Sequence, residues 1–122
     1  MTLRHILLVD DEADIRFIAS LALRAVGFEV RLASTGREGL AAAVGEAPDL
    51  IVLDSMMPGM DGLATLSALR AAGVHVPVVF MTANTDLEDL ARYRAAGAIG
   101  VVPKPFDVKR LGDQLRKIFA AH

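Results

Sequence analysis

Cysteine is absent from the 122 residues, which excludes a disulfide scaffold, a thiolate zinc site and a cysteine nucleophile. Tryptophan is absent as well, and aromatics make up only 5% of the chain. No charge of one sign dominates: 13 Lys and Arg stand against 15 Asp and Glu, a net charge of −2. That balance argues against a nucleic-acid binder held by phosphate neutralisation. The apolar stretches run only a few residues, far below the roughly 18–20 needed to span a bilayer. Met1-Thr2-Leu3-Arg4-His5 leads straight into a strand-like run, so no signal peptide is expected. Low-complexity segments, charge blocks and Pro/Gly/Ser linkers are missing too, so residues 1–122 are expected to form one domain. What is present is a 53% hydrophobic share, rich in the alanine that suits helices packed closely on a sheet. The expectation is a cytoplasmic single domain with no direct nucleic-acid or membrane partner.

Short apolar runs alternate with longer helical patterns. Ile6–Val9, Leu50–Leu53, Val78–Met81 and Ile99–Val102 are too short for buried helices and lack polar alternation, as in strands covered on both faces. Phe28–Leu32 does alternate, which predicts an edge strand. Pro103, directly after the last run, predicts a second edge, because proline cannot donate to a central ladder. Ile15, Ile18, Ala19, Ala22 and Val26 follow a helical stripe, as do Val108, Leu111, Leu115, Ile118 and Phe119 behind Asp107 as N-cap. Leu63, Leu66 and Leu69 carry a middle helix closed by Gly73. Asp86 to Ala96 has few apolar positions and reads as the most exposed helix. Five strand–helix repeats with right-handed crossovers predict an α/β, doubly wound parallel sheet with helices on both faces.

Ligands of such folds bind beyond the carboxyl ends of the strands. The residues there are Asp10-Asp11-Glu12 after the first run, Asp54 after the third, Thr82 after the fourth and Lys104 after the fifth. Singly, these acids read as solvated loop residues or helix caps. Four strand ends agreeing on one rim point instead to a site. Clustered carboxylates need a compensating cation, and oxygen ligands without His or Cys favour Mg²⁺ before Ca²⁺. Mg²⁺ beside a carboxylate, a hydroxyl and an ammonium is an inventory for handling a phosphoryl group, with Asp54 as the nucleophile candidate.

Val9-Asp10-Asp11-Glu12, the run Leu53-Asp54-Ser55-Met56-Met57-Pro58-Gly59-Met60-Asp61-Gly62, Met81-Thr82-Ala83 and Lys104-Pro105-Phe106 resemble the receiver domains of two-component response regulators. The resemblance runs from the first strand to the last helix. It implies a flavodoxin-like sheet of order 2-1-3-4-5, phosphoryl transfer to Asp54 from a phosphohistidine of a histidine kinase or histidine phosphotransfer protein, and a change in binding to a downstream protein target. It implies Mg²⁺ on Asp11, Asp54 and the Met56 backbone carbonyl, with Asp10 acting mainly through water. Thr82 and Lys104 would hold the phosphoryl oxygens, and the Lys104-Pro105 bond would be cis. A stand-alone receiver, a monomer or weak dimer with no output domain, is expected. It would be no enzyme beyond its own phosphorylation and dephosphorylation.

Some positions depart from the family. Val101 stands where an aromatic residue commonly couples to the hydroxyl's movement. Ile99 and Gly100 replace frequent acids. Met56 and Asn84 occupy positions that tune hydrolysis of the aspartyl phosphate, and Met56, unable to orient a water, predicts slow decay. His5, His75 and His122 have no metal-ligand spacing. Met57, Met60 and Met81 read as packing, and Arg92, Arg94, Arg110, Arg116 and Lys117 as solvated helix faces. A Mg²⁺-dependent aspartyl-phosphate phosphatase would need an acid where Met56 stands. A phosphate-cradling first loop would be repelled by Asp10-Asp11-Glu12. An intermediate carrier in a phosphorelay is the alternative within the receiver reading.

Overall fold

The computed structural model describes residues 2–122. Strands and helices alternate: β1 (His5–Val9), α1 (Ala13–Ala25), β2 (Glu29–Ala33), α2 (Gly36–Gly45), β3 (Leu50–Asp54), α3 (Gly62–Ala71), β4 (Val78–Thr82), α4 (Leu87–Ala95), β5 (Gly100–Pro103) and α5 (Leu111–Ala121). All strands pair in parallel in the order β2-β1-β3-β4-β5. The alternating strand and the Pro-ended strand are therefore the two edges, as their patterning predicts. Among the described residues, no helix is long and apolar enough to cross a membrane.

The unbroken apolar runs of the inner strands follow from two cores, one on each face. Ile6, Leu8, Leu50, Val52, Val79 and Met81 face α1 and α5, where Leu23, Leu111 and Leu115 meet them. The intervening Leu7, Val9, Ile51, Leu53, Val78 and Phe80 face α2, α3 and α4, where Leu66, Leu69 and Tyr93 meet them. A strand covered on both faces has no position for a polar residue until it ends. The first polar side chains therefore emerge together at the carboxyl rim.

Local sequence sets the helix boundaries. Thr35, at the uncharged end of β2, caps α2 by accepting the Glu38 N–H, and Asp61 and Asp86 cap α3 and α4 likewise. Gly73 takes φ +83° past the end of α3, the left-handed position that glycine fills without strain. Two helical expectations need correction. Asp107 is not the N-cap of α5: its carboxylate accepts the Lys109 N–H in a preceding turn, and α5 starts only at Leu111. Val108 is accordingly exposed. In α1 the buried stripe runs through Ala19 and Leu23, while Ile18 faces solvent with Phe17 and Leu21, and Val26, just past the helix end, is exposed on one side and borders Gly112 of α5 on the other. Arg116 is not simply solvated. Its guanidinium lies 4.4 Å over the Phe28 ring and donates to the Val26 carbonyl at 2.7 Å, tying α5 to the end of α1. The three histidines are exposed, and Met57 and Met81 are buried, as expected.

Candidate functional site

Asp10 follows β1, and its side chain is fully buried. Its Oδ1 accepts the Glu12 N–H at 2.9 Å and its Oδ2 accepts from Lys104 Nζ at 2.8 Å. Asp54 is the last residue of β3, the middle strand, and is 3% exposed. Its Oδ1 accepts the Met56 N–H at 3.2 Å and lies 3.3 Å from Lys104 Nζ. The start of α3 closes on it so tightly that a Cβ on Gly62 would lie 2.5 Å from the Asp54 carbonyl oxygen and 2.7 Å from the Phe80 ring. Glycine at this position lets helix and strand approach, and so holds the Asp54 backbone.

Asp10, Asp11, Glu12 and Asp54 each bring an oxygen within 4.8 Å of the others. Asp11 and Glu12 are exposed, so the cluster opens to solvent on one side. Lys104 reaches three of the four carboxylates, with Glu12 Oε1 at 3.6 Å. Burial, followed by the charge of Asp10, pushes the Asp54 carboxyl up to about 6, although Lys104 pulls the other way. Burial disfavours the Lys104 ammonium, but Asp10 and Asp54 outweigh it and raise its pKa above the ordinary lysine value. One ammonium among four carboxylates leaves the rim negative. That residual charge and the all-oxygen donor set suit a hard divalent cation.

Thr82 ends β4 and is buried. It is linked to the residue after Asp54: Ser55 Oγ donates to Thr82 Oγ1 at 2.7 Å. The Asn84 N–H donates to the same oxygen at 2.9 Å, and Tyr93 Oη lies 3.3 Å away. The Lys104–Pro105 peptide is cis. Asp10, Asp11, Asp54 and Lys104 thus converge, with the Met56 backbone beside them and Thr82 on the neighbouring strand. Met56 and Asn84 present exposed side chains at the mouth. Val101 lies apart, half-buried in a cleft between α4 and β5.

Sequence reasoning gave Glu12 no separate role and passed over Ser55 and Tyr93, which touch Thr82. Glu12 stood within the acidic run. Ser55 follows the acceptor in a strand-to-loop turn, where no periodicity tells which way a hydroxyl points. Tyr93 is the chain's single tyrosine, set in a charged helix that otherwise reads as solvent-facing.

The family model described as the response regulator receiver domain matches residues 6–116. The DNA-binding transcriptional regulator NtrC of Salmonella typhimurium is 39% identical over 100 residues, 82% of this chain and 21% of that protein. The probable transcriptional regulatory protein TcrX of Mycobacterium tuberculosis is 37% identical over 113 residues, 93% of this chain and 48% of that one. The chain therefore spans about a fifth to a half of the length of these relatives. Among solved structures, the chemotaxis response regulator CheY4 of Vibrio cholerae superposes with a TM-score of 0.88 at 34% identity, covering 96% of this chain and 99% of that one.

Proposed function

The chain belongs to the response regulator receiver domain family, and from that premise we propose that it is a phosphorylation-dependent signalling switch whose acceptor is Asp54. The observation that carries this reading is the pairing of a buried strand-end carboxylate with one ammonium, Lys104 Nζ at 3.3 Å, inside a four-acid cluster. An Asp54 oxygen attacks phosphorus, forming a P–O bond as the P–N bond of a phosphohistidine breaks. The electron pair of that bond returns to the imidazole nitrogen of the donor. Lys104 neutralises a phosphoryl oxygen, and the Thr82 hydroxyl donates to another. Mg²⁺ held by Asp11, Asp54 and the Met56 carbonyl, with Asp10 acting through water, would screen the carboxylates and neutralise phosphoryl charge.

The new group brings a charge of about −1.5 to −2 to a rim that is already acidic. Lys104 and Thr82 are the groups able to answer it, and the loops that carry them shift with them. The donor is a histidine kinase or histidine phosphotransfer protein met in the cytoplasm. The readout is altered binding of a protein partner at the α4–β5–α5 face. The only chemistry of the domain itself is its own phosphorylation and dephosphorylation.

Incubation with Mg²⁺ and acetyl phosphate, followed by intact mass, tests the assignment. One added phosphoryl group is expected on the native chain and none on Asp54→Asn. Equal labelling of the two would remove Asp54 as acceptor.

A further inference from the structure

The function proposed above needs the Thr82 hydroxyl to donate to a phosphoryl oxygen, yet the hydrogen bonds at Thr82 commit it elsewhere. A hydroxyl accepts twice and donates once. Ser55 Oγ and the Asn84 N–H take the two acceptor positions. The remaining proton has Tyr93 Oη as its partner, at 3.3 Å. Tyr93 is the one buried residue of α4, and its ring centroid lies 4.7 Å from that of Phe80, two residues before Thr82 on β4. Beyond the ring is the cleft between α4 and β5, lined by Leu90, Arg94 and Val101 among others. Val101 and Tyr93 both line that cleft.

We propose that Tyr93 is a positioning residue that latches the resting state: its hydroxyl accepts the Thr82 proton, and phosphorylation of Asp54 draws that proton away. Tyr93, freed from its partner on β4, then shifts on the cleft side and carries the change into α4. The bond is longer than a usual O–H···O contact, so it is a weak latch that a charged phosphoryl oxygen outcompetes. The role rests on the switch function above and adds to it a residue from α4 that reports the state of Thr82. No proton is gained or lost by the domain in this exchange; one hydroxyl proton changes acceptor.

Tyr93→Phe deletes the oxygen and keeps the ring on Phe80. Beryllium trifluoride with Mg²⁺, a non-covalent stand-in for the phosphoryl group, should bind this variant about threefold more tightly, the worth of one weak hydrogen bond. The Asn84 amide, which donates to Thr82, should move in the free variant toward its position in the beryllium trifluoride complex. With a single tyrosine and no tryptophan, intrinsic emission of the native chain reads Tyr93 alone and should change on saturation. Thr82→Ala should abolish that emission response. Unchanged or weaker affinity in Tyr93→Phe, or an emission response that survives Thr82→Ala, would overturn the latch. A merely structural tyrosine would lower the melting temperature and leave the affinity alone. If the native chain takes up no phosphoryl group from acetyl phosphate, the switch function falls and the latch with it. If labelling is normal and Tyr93→Phe binds as the native chain does, only the latch falls.

Discussion

The end of β3 and the helix α4 border the same rim and are held in opposite ways. Every residue of β3 is buried, and Gly62 lets α3 press onto its end without a side chain between them. In α4 only Tyr93 is buried, while Leu87 is 85% exposed. Close packing on two faces fixes Asp54, whereas α4 rests on the core through the Tyr93 ring, with the partly buried Leu90 beside it. An acceptor must present its oxygen to a donor in one geometry. A readout element must have somewhere to go at low cost.

The comparison is broken most directly in the core. Leu53→Ala, at a fully buried position, is expected to cost about 3–4 kcal/mol in chemical denaturation. A loss below about 1 kcal/mol would mean that the β3 end is not tightly packed. Asp54→Asn should act in the opposite direction. Burial pushes the folded Asp54 carboxyl up to about 6, above the ordinary aspartate range, so the folded state binds the proton more strongly. That contribution is fully present below the unfolded pKa and is lost as pH rises through the folded one. In chelator, native stability should therefore fall between pH 4 and about 6 more steeply than that of Asp54→Asn. At pH 7 the variant should be the more stable by about 1–3 kcal/mol. Parallel curves for the two proteins would show that Asp54 pays no burial cost. Met56→Asn should accelerate loss of the phosphoryl group by about threefold to tenfold, because an amide at this exposed position can orient a water where a thioether cannot. Decay of the native chain as fast as the variant's would dismiss the expectation that Met56 slows hydrolysis. Leu87→Ala on α4 should change stability by less than about 0.5 kcal/mol, and a larger cost would mean that α4 is held more firmly than its burial implies.

Much of the rim was legible because a polar residue after a continuous apolar run can lie only at a strand end. Asp10, Asp54, Thr82 and Lys104 were found that way, and the alternation of residues 28–32 placed β2 at an edge. Periodicity misled where a helix begins late or faces solvent with apolar side chains. Asp107 looks like a cap but opens a turn, and Ile18 follows the stripe without joining the core. Arg116 looks like one more surface charge, and its stacking on Phe28 depends on how α5 crosses α1.

The sequence by itself determined which strands are central, which residues emerge at their ends, and hence the chemistry available to the rim. Side chains that alternate along a strand and runs that end in charge are local properties, carried by neighbours in the chain. The tertiary structure decided which of those groups meet. Lys104 pairs with Asp10 across 94 positions, and Ser55 reaches Thr82 across 27. Tyr93 turns inward from a helix whose composition faces water. Such contacts depend on the order of the strands and the seating of each helix on the sheet, which packing of the whole domain sets and no local pattern encodes.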